Sequence, residues 1–249
     1  MNIIGIIPAR YQSTRFPGKP LADIAGKPMI QHVYERALQT HHLQRVLVAT
    51  DDLRILGRVQ AFGGEALLTS PEHLSGTDRL AEACRVLGLQ DDDVILNIQG
   101  DEPLLEPMML DLLAGTLEQA PEVPMATLAS VSFSVEAFTD PNVVKVVVNS
   151  RLQALYFSRS PIPCRRDAPG SPPEFLRHLG FYAYRQAFLQ RFTQLPPGLL
   201  EQTEQLEQLR ALEHGYPIQV ALSPIETQGV DTPEDLQKIL TRMRKAAAR

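Results

Sequence analysis

Cysteine is scarce: Cys84 and Cys164 are the only two in 249 residues. That excludes a disulfide framework or a cysteine-based zinc site and fits reduced thiols in a reducing compartment. An excess of positive charge is missing too, since 24 Lys and Arg against 29 Asp and Glu leave a net charge of −5. Non-specific binding to nucleic acid needs many cations facing phosphates, so no nucleic-acid partner is expected. Long hydrophobic runs are also lacking. The opening Met1-Asn2-Ile3-Ile4-Gly5-Ile6-Ile7-Pro8 is apolar but too short to span a membrane, and it lacks the basic flank of a secretory signal. It reads as the first strand of a cytoplasmic protein with no membrane partner. Internal repeats and low-complexity segments are absent as well, which sets aside solenoids and propellers. What remains is 44% hydrophobic and 21% charged. A chain of this length and composition can bury about 70–75% of its unfolded surface around a proper core.

The β-branched run Ile3–Ile7, ended by Pro8, suits a strand buried on both faces. Helical spacing over Pro28–Leu38, a strand at Arg45–Ala49 and a helix from Asp51-Asp52 to Phe62 follow. Gly63-Gly64 stops that helix before a strand at Glu65–Leu68. A helix over Asp78–Leu87 then leads to a strand at Val94–Ile98. Strands alternating with helices predict right-handed βαβ units: a Rossmann-like, mostly parallel α/β sheet with helices on both faces. After Pro121 the rhythm changes, with strands expected at Met125–Phe133, Val143–Val148, Ala154–Phe157 and Phe175–Tyr184. The stretch Ser160–Pro173 holds five prolines and reads as a loop or lid. A helix over Glu201–Glu213, a strand at Pro217–Ala221 and a helix over Thr232–Met243, capped by Thr232 with Asp235, complete the chain. The expectation is one domain, residues 1–249, with an antiparallel insertion near 125–200.

The first strand runs into Ala9-Arg10-Tyr11-Gln12-Ser13-Thr14-Arg15-Phe16-Pro17-Gly18-Lys19-Pro20, which carries Arg10, Arg15 and Lys19 and no acid. Ligands of open parallel sheets bind outside the carboxyl ends of the strands, where this loop falls. Guanidinium forks and an ammonium suit phosphate oxygens, and the small Ser13 and Thr14 let backbone N–H groups approach. A solvated basic loop is the alternative. Two other nucleotide motifs fail: a Walker A loop would need Gly at Ser13 and Ser or Thr at Pro20, and none of the 15 glycines forms the Gly-x-Gly step of a dinucleotide fingerprint. The strand Val94–Ile98 ends in Gln99-Gly100-Asp101-Glu102-Pro103, which puts Asp101 at the same sheet edge. A carboxylate beside a polyphosphate is a usual way to hold magnesium. Asp231, in Gly229-Val230-Asp231-Thr232-Pro233, is a second candidate, with a plain helix cap as its alternative.

Further motifs stand in order along the chain. Ser75-Gly76-Thr77-Asp78-Arg79 and Asn97-Ile98-Gln99-Gly100-Asp101-Glu102-Pro103 are followed by Leu155-Tyr156-Phe157-Ser158-Arg159 and Arg177-His178-Leu179-Gly180-Phe181-Tyr182. Leu206-Glu207-Gln208-Leu209-Arg210 and Gly229-Val230-Asp231-Thr232-Pro233-Glu234-Asp235-Leu236 complete the set. With the basic loop, they resemble the 3-deoxy-manno-octulosonate (KDO) cytidylyltransferases over nearly the whole chain. The resemblance implies a nucleotidyltransferase-type fold and the reaction CTP + KDO → CMP-KDO + diphosphate, which feeds lipopolysaccharide synthesis, with Mg2+ as cofactor and a homodimer built on the insertion. By the same resemblance, Arg10, Ser13, Arg15 and Lys19 would hold the phosphates, and Ser75, Gly76, Gln99 and the backbone at Ala9 would surround cytosine and ribose. Asp101 and Asp231 would bind the metal, with Lys19 and Arg10 sharing the catalytic work. Gln99, Arg159, His178, Tyr182, Glu207 and Gln208 would form the sugar-acid pocket. Taken singly, His178 and Tyr182 also suit a packed aromatic strand, and Glu207 with Arg210 an ordinary helix-surface pair. The rival readings are an enzyme for a related sugar acid such as 8-amino-KDO or a sialate, a non-catalytic nucleotide sensor, and a nicotinamide oxidoreductase.

Overall fold

Ile3–Ala9 forms strand β1, whose side chains alternate between two apolar layers, Ile3 and Ile7 on one side and Ile4 and Ile6 on the other. The structure, a computed structural model, describes residues 1–12, 16–167, 174–227 and 229–247, with side chains to residue 244. After β1 come a 3-10 turn (Lys19–Leu21), β2 (Asp23–Ile24), β3 (Lys27–Pro28), α1 (Met29–Ala37), β4 (Arg45–Thr50) and α2 (Leu53–Ala61). Next are β5 (Ala66–Leu68), α3 (Gly76–Val86), β6 (Val94–Asn97) and α4 (Pro107–Gln119). The second half holds β7 (Met125–Ser132), α5 (Val135–Thr139), β8 (Lys145–Val148), β9 (Ala154–Ser158) and β10 (Phe175–Arg185). It ends with α6 (Gln186–Phe192), α7 (Leu199–Glu204), α8 (Leu209–Glu213), β11 (Ile218–Leu222) and α9 (Pro233–Ala247).

The main sheet runs β11-β7-β10-β6-β1-β4-β5, with every pair parallel except the two that β10 makes with β6 and β7. Helices α1, α2 and α4 cover one face through Val33, Val59 and Leu113. Helices α3, α6 and α8 cover the other through Leu80, Phe192 and Leu209. This is the mostly parallel, doubly covered sheet expected from the sequence. The antiparallel segment is less separate than expected: β7 and β10 are members of the central sheet, and β8 and β9 stand beside the first half of β10.

Several elements differ from the sequence reading, which expected neither α5 nor α6. The helix expected over Glu201–Glu213 is two short helices, because Gln205 takes a left-handed φ of 52° between α7 and α8. Helix α4 was not anticipated, although Pro107 stands at its first position, where a missing N–H costs nothing. Its apolar residues are too evenly spread to show a stripe.

Lys145 on β8 is fully buried, and its ammonium donates to the carbonyls of Val143 (2.7 Å), Arg159 (2.6 Å) and Asp140 (3.1 Å). Burial lowers its pKa, yet three carbonyls at close range hold the proton. Lys145→Met leaves those acceptors without their donor and is expected to cost about 2–4 kcal/mol of stability. A urea midpoint unchanged from the parent would contradict this.

Candidate functional site

The loop after β1 is closed by Gly18, whose N–H donates to the Tyr11 carbonyl at 2.9 Å. Gly18 sits at a φ of 71°, and a Cβ there would lie 3.1 Å from the Tyr11 ring, so only glycine fits. The Tyr11 ring is covered by the Arg54 guanidinium, 3.3 Å from its centroid. Lys19 follows directly as the first residue of the 3-10 turn. Its ammonium reaches Asp101 Oδ2 at 2.7 Å and Asp231 Oδ1 at 3.3 Å. Residues separated by 82 and 212 positions thus meet at one point.

Backbone contacts fix that meeting. Gly100 lets the end of β6 pass β1, since a Cβ there would come within 3.1 Å of the Pro8 carbonyl. The Asp101 carbonyl accepts the Val230 N–H at 2.9 Å, which ties the two aspartate segments together. Below them lies Glu102, 8% exposed, which burial and the adjacent Asp101 push up to about 8, with Asp231 contributing less. A neutral carboxyl there adds no third negative charge to the pair. Thr232 and Asp235 cap α9 by reciprocal bonds, so the capping duty falls on Thr232 and leaves the Asp231 carboxylate turned to Lys19.

Lys19, Asp101 and Asp231 line a cleft of about 330 Å3, together with Ala9, Arg10 and Gln99. Its far wall is the N-terminus of α3, where Ser75 caps the helix by accepting the Asp78 N–H (3.1 Å) and Gly76 is the first helical residue. An N-terminus of an eleven-residue helix favours anions. Asp78 is the reciprocal member of that cap, a structural duty. The wall residues that sequence reasoning missed include His73, Leu74 and Arg79. Arg79, 3% exposed, bonds Thr69 and the Asp51 carboxylate (3.1 Å), holding α3 to the ends of β4 and β5. Its place in the Ser-Gly-Thr-Asp-Arg motif was the available signal. Ser13 and Arg15 lie outside the described residues.

The residues expected to hold the sugar form a neighbouring group on β10 and the turn between α7 and α8. A bulge between His178 and Tyr182, where Gly180 lies, re-aims the strand, and Gln99 Nε2 donates to the Gly180 carbonyl at 2.8 Å. Glu207 Oε2 accepts from the Thr77 hydroxyl at 2.6 Å, so this group touches the same α3 N-terminus that walls the cleft. Burial raises the Glu207 pKa, with the Thr77 bond and nearby Arg210 acting against it. His178 packs edge-on to Phe157 (5.0 Å between centroids) and beside Tyr182 (5.4 Å). The Thr127 hydroxyl gives its one proton to the Phe181 carbonyl at 2.6 Å, so at 2.9 Å it accepts a proton from His178 Nε2. His178 Nδ1 is then an acceptor.

Two buried amides here have an end with no hydrogen-bond partner among the described residues: Asn97 Oδ1 (residue 6% exposed) and Gln208 Nε2 (4%). Each such orphan costs about 1–3 kcal/mol in the ligand-free fold. Arg159 donates through its guanidinium to the carbonyls of Glu204 (2.7 Å), Pro141 (2.9 Å) and Gln205 (3.3 Å), beside the turn that carries Glu207 and Gln208.

Burial also lowers the His178 pKa to about 3. The folded value lies below the ordinary 6.5, so its contribution to stability is complete above pH 6.5 and is lost as pH falls toward 3. Between pH 6.5 and 5 the parent is expected to lose up to ~2 kcal/mol more than His178→Gln. Parallel urea titrations that fall equally for both proteins would refute it.

Lys19, Asp101 and Asp231 thus meet at the carboxyl edge of the parallel sheet, and the chain belongs to the cytidylyltransferase family, whose model matches residues 4–222. It is 61% identical over 240 residues to a 3-deoxy-manno-octulosonate cytidylyltransferase of Syntrophobacter fumaroxidans, covering 96% of each chain. It is 51% identical over 244 residues to an 8-amino-3,8-dideoxy-manno-octulosonate cytidylyltransferase of a Shewanella species, covering 98% of this chain and 99% of that one. Among solved structures it matches a CMP:2-keto-3-deoxy-manno-octonic acid synthetase complexed with CTP, with a TM-score of 0.93 and 47% identity over 99% of this chain and 100% of that one.

Proposed function

We propose that the enzyme transfers the cytidylyl group of CTP to 3-deoxy-D-manno-octulosonate, releasing diphosphate and CMP-KDO for lipopolysaccharide synthesis. The observation that carries the reading is the meeting of Lys19, Asp101 and Asp231 at a cleft walled by the N-terminus of α3. The sugar 2-hydroxyl attacks the α-phosphorus, a new P–O bond forms, and the bond to the β-phosphate oxygen breaks. Such transfers depend on positioning and charge neutralisation rather than covalent chemistry from the protein. Lys19 and Arg10 neutralise phosphate charge, with Ser13 and Arg15 completing the loop. Ser75, Gly76 and the backbone at Ala9 hold the nucleoside end.

The residues present fit a magnesium ion. Asp101 and Asp231 offer hard oxygen donors around one point, now shared by the Lys19 ammonium. Two carboxylates suit a magnesium ion whose coordination is completed by phosphates and water. When bound, that ion would supply phosphate charge neutralisation and a lowered pKa for a coordinated hydroxyl. On the sugar side, Gln99, His178 Nδ1, Tyr182, Glu207 and the orphan donor of Gln208 offer partners for hydroxyls and the carboxylate. Arg159 spends three of its five N–H donors on the carbonyls of Glu204, Pro141 and Gln205, which leaves two for the sugar carboxylate.

A homodimer belongs to the same reading, supported by exposed Phe133, Val135 and Leu155 on the β7–β9 side; light scattering on purified protein tests it. So does a cytoplasmic location; no helix among the described residues is long and apolar enough to cross a membrane. The decisive assay is diphosphate release with magnesium, CTP and KDO, run beside 8-amino-KDO and sialate and beside ATP, GTP and UTP. Release with KDO and CTP is expected. Faster release with 8-amino-KDO would reassign the sugar, and CTP binding without release would leave a sensor.

A further inference from the structure

Asn97 is out of place in its strand. It is the last residue of β6, and its side chain shares a face with Ile95, which is fully buried. Its in-register neighbour on β1 is Ile6, also fully buried, and its partner on β10 is Tyr182. An apolar β-branched residue would continue that layer. The chain has an amide there instead, 6% exposed, with Oδ1 lacking any hydrogen-bond partner among the described residues. Natural folds rarely keep such a group without a use for it.

Its surroundings indicate the use. Gln99, two residues on and therefore on the same face, reaches over to the Gly180 carbonyl at the β10 bulge. Tyr182 stands directly opposite. Glu207 reaches this side of the sheet through Thr77, and its charge is felt by Tyr182. Asn97 thus lies at the carboxyl end of a central strand, where ligands of such sheets bind, among residues assigned above to the sugar acid.

We propose that Asn97 is a further sugar-recognition residue, its orphan amide end pairing with a hydroxyl of the polyhydroxylated acid that becomes the nucleophile. The inference rests on the cytidylyltransfer reading and assigns Asn97 to the sugar, not the nucleotide. A buried polar group built to meet a substrate hydroxyl also discriminates strongly against molecules that lack it.

The test is Asn97→Leu, which removes the amide at similar volume, with Asn97→Ala as a second variant should the first fail to fold. Diphosphate release gives kcat and KM for KDO and for CTP, and thermal unfolding gives Tm. We expect KM for KDO to rise at least about tenfold, KM for CTP to stay within about twofold, and Tm to hold or increase, since an unpaired buried amide has been removed. A KDO KM within twofold of the parent overturns the proposal. So does a rise confined to CTP, or a fall in Tm with both KM values moving together, which would make Asn97 structural. Parent enzyme that releases no diphosphate with KDO and CTP defeats the cytidylyltransfer reading itself, and the role of Asn97 with it. Parent activity with unaffected variants removes Asn97 alone.

Discussion

Asp101→Asn lowers turnover about a hundred- to thousandfold, the effect of losing one well-placed charge from a transition-state contact worth about 3–4 kcal/mol. The side chain keeps its shape and can still accept a bond from Lys19, so the fold has little to lose. Asp101 is 31% exposed and its Lys19 partner 15%, and partly exposed ion pairs contribute only about 0–1 kcal/mol. For a chain of this size that is a Tm shift of about 4 °C at most. The separation between a large kinetic loss and a small thermal one is the signature to look for, at saturating magnesium. Binding of Mn2+ by electron paramagnetic resonance gives a readout independent of turnover, and the variant is expected to bind it more weakly. Near-parental turnover and unchanged Mn2+ binding would remove Asp101 from the metal site. Asp231, 49% exposed at the same ammonium, should follow the same pattern.

The two aspartates also show what the sequence could and could not reveal. Asp101 is legible from local signals: a buried run, Gly100 and a carboxylate at the strand end. Asp231 is not, because Asp-Thr-Pro before a helix is satisfied equally well by capping. The Thr232–Asp235 cap was readable, but only the fold shows the Asp231 carboxylate at the lysine. The parallel sheet was readable because β1, β4 and β6 are short apolar runs punctuated by turn residues. The position of β10 was not, since an antiparallel strand has no different alternation from a parallel one, and its insertion between β6 and β7 is decided by long-range packing. The break at Gln205 escaped for a related reason. Leu206 and Leu209 are buried on either side of Glu207 and Gln208 and keep a helical spacing through a turn that is not helical. The motif residues Glu207 and Gln208 stand at that break, placed by the turn rather than by a helix face. Arg159 marks the opposite limit. A motif match singled it out, but the carbonyls that hold its guanidinium come from Pro141, Glu204 and Gln205, too far away in sequence to be foreseen.

Lys19→Ala is the second large loss, expected in kcat and on the order of a hundredfold or more. The Lys19 ammonium holds two carboxylates that would otherwise repel each other. A magnesium ion held by Asp101 and Asp231 would supply positive charge to those carboxylates, and the ammonium would then be available to the phosphates. Lys19 would thus have two successive partners and matter most as negative charge moves toward the departing diphosphate. Removing an interaction made mainly at that stage lowers kcat and kcat/KM together, whereas removing uniform binding raises KM and leaves kcat alone. A change confined to the KM for CTP would therefore reduce Lys19 to a binding contact. The double variant Lys19→Ala/Asp101→Asn sharpens the test. Groups that act on one transition state as a unit are far from additive, so the pair should be little slower than the slower single variant. Multiplied losses, on the order of ten-thousandfold or more, would mean that the ammonium and the carboxylate act on separate steps.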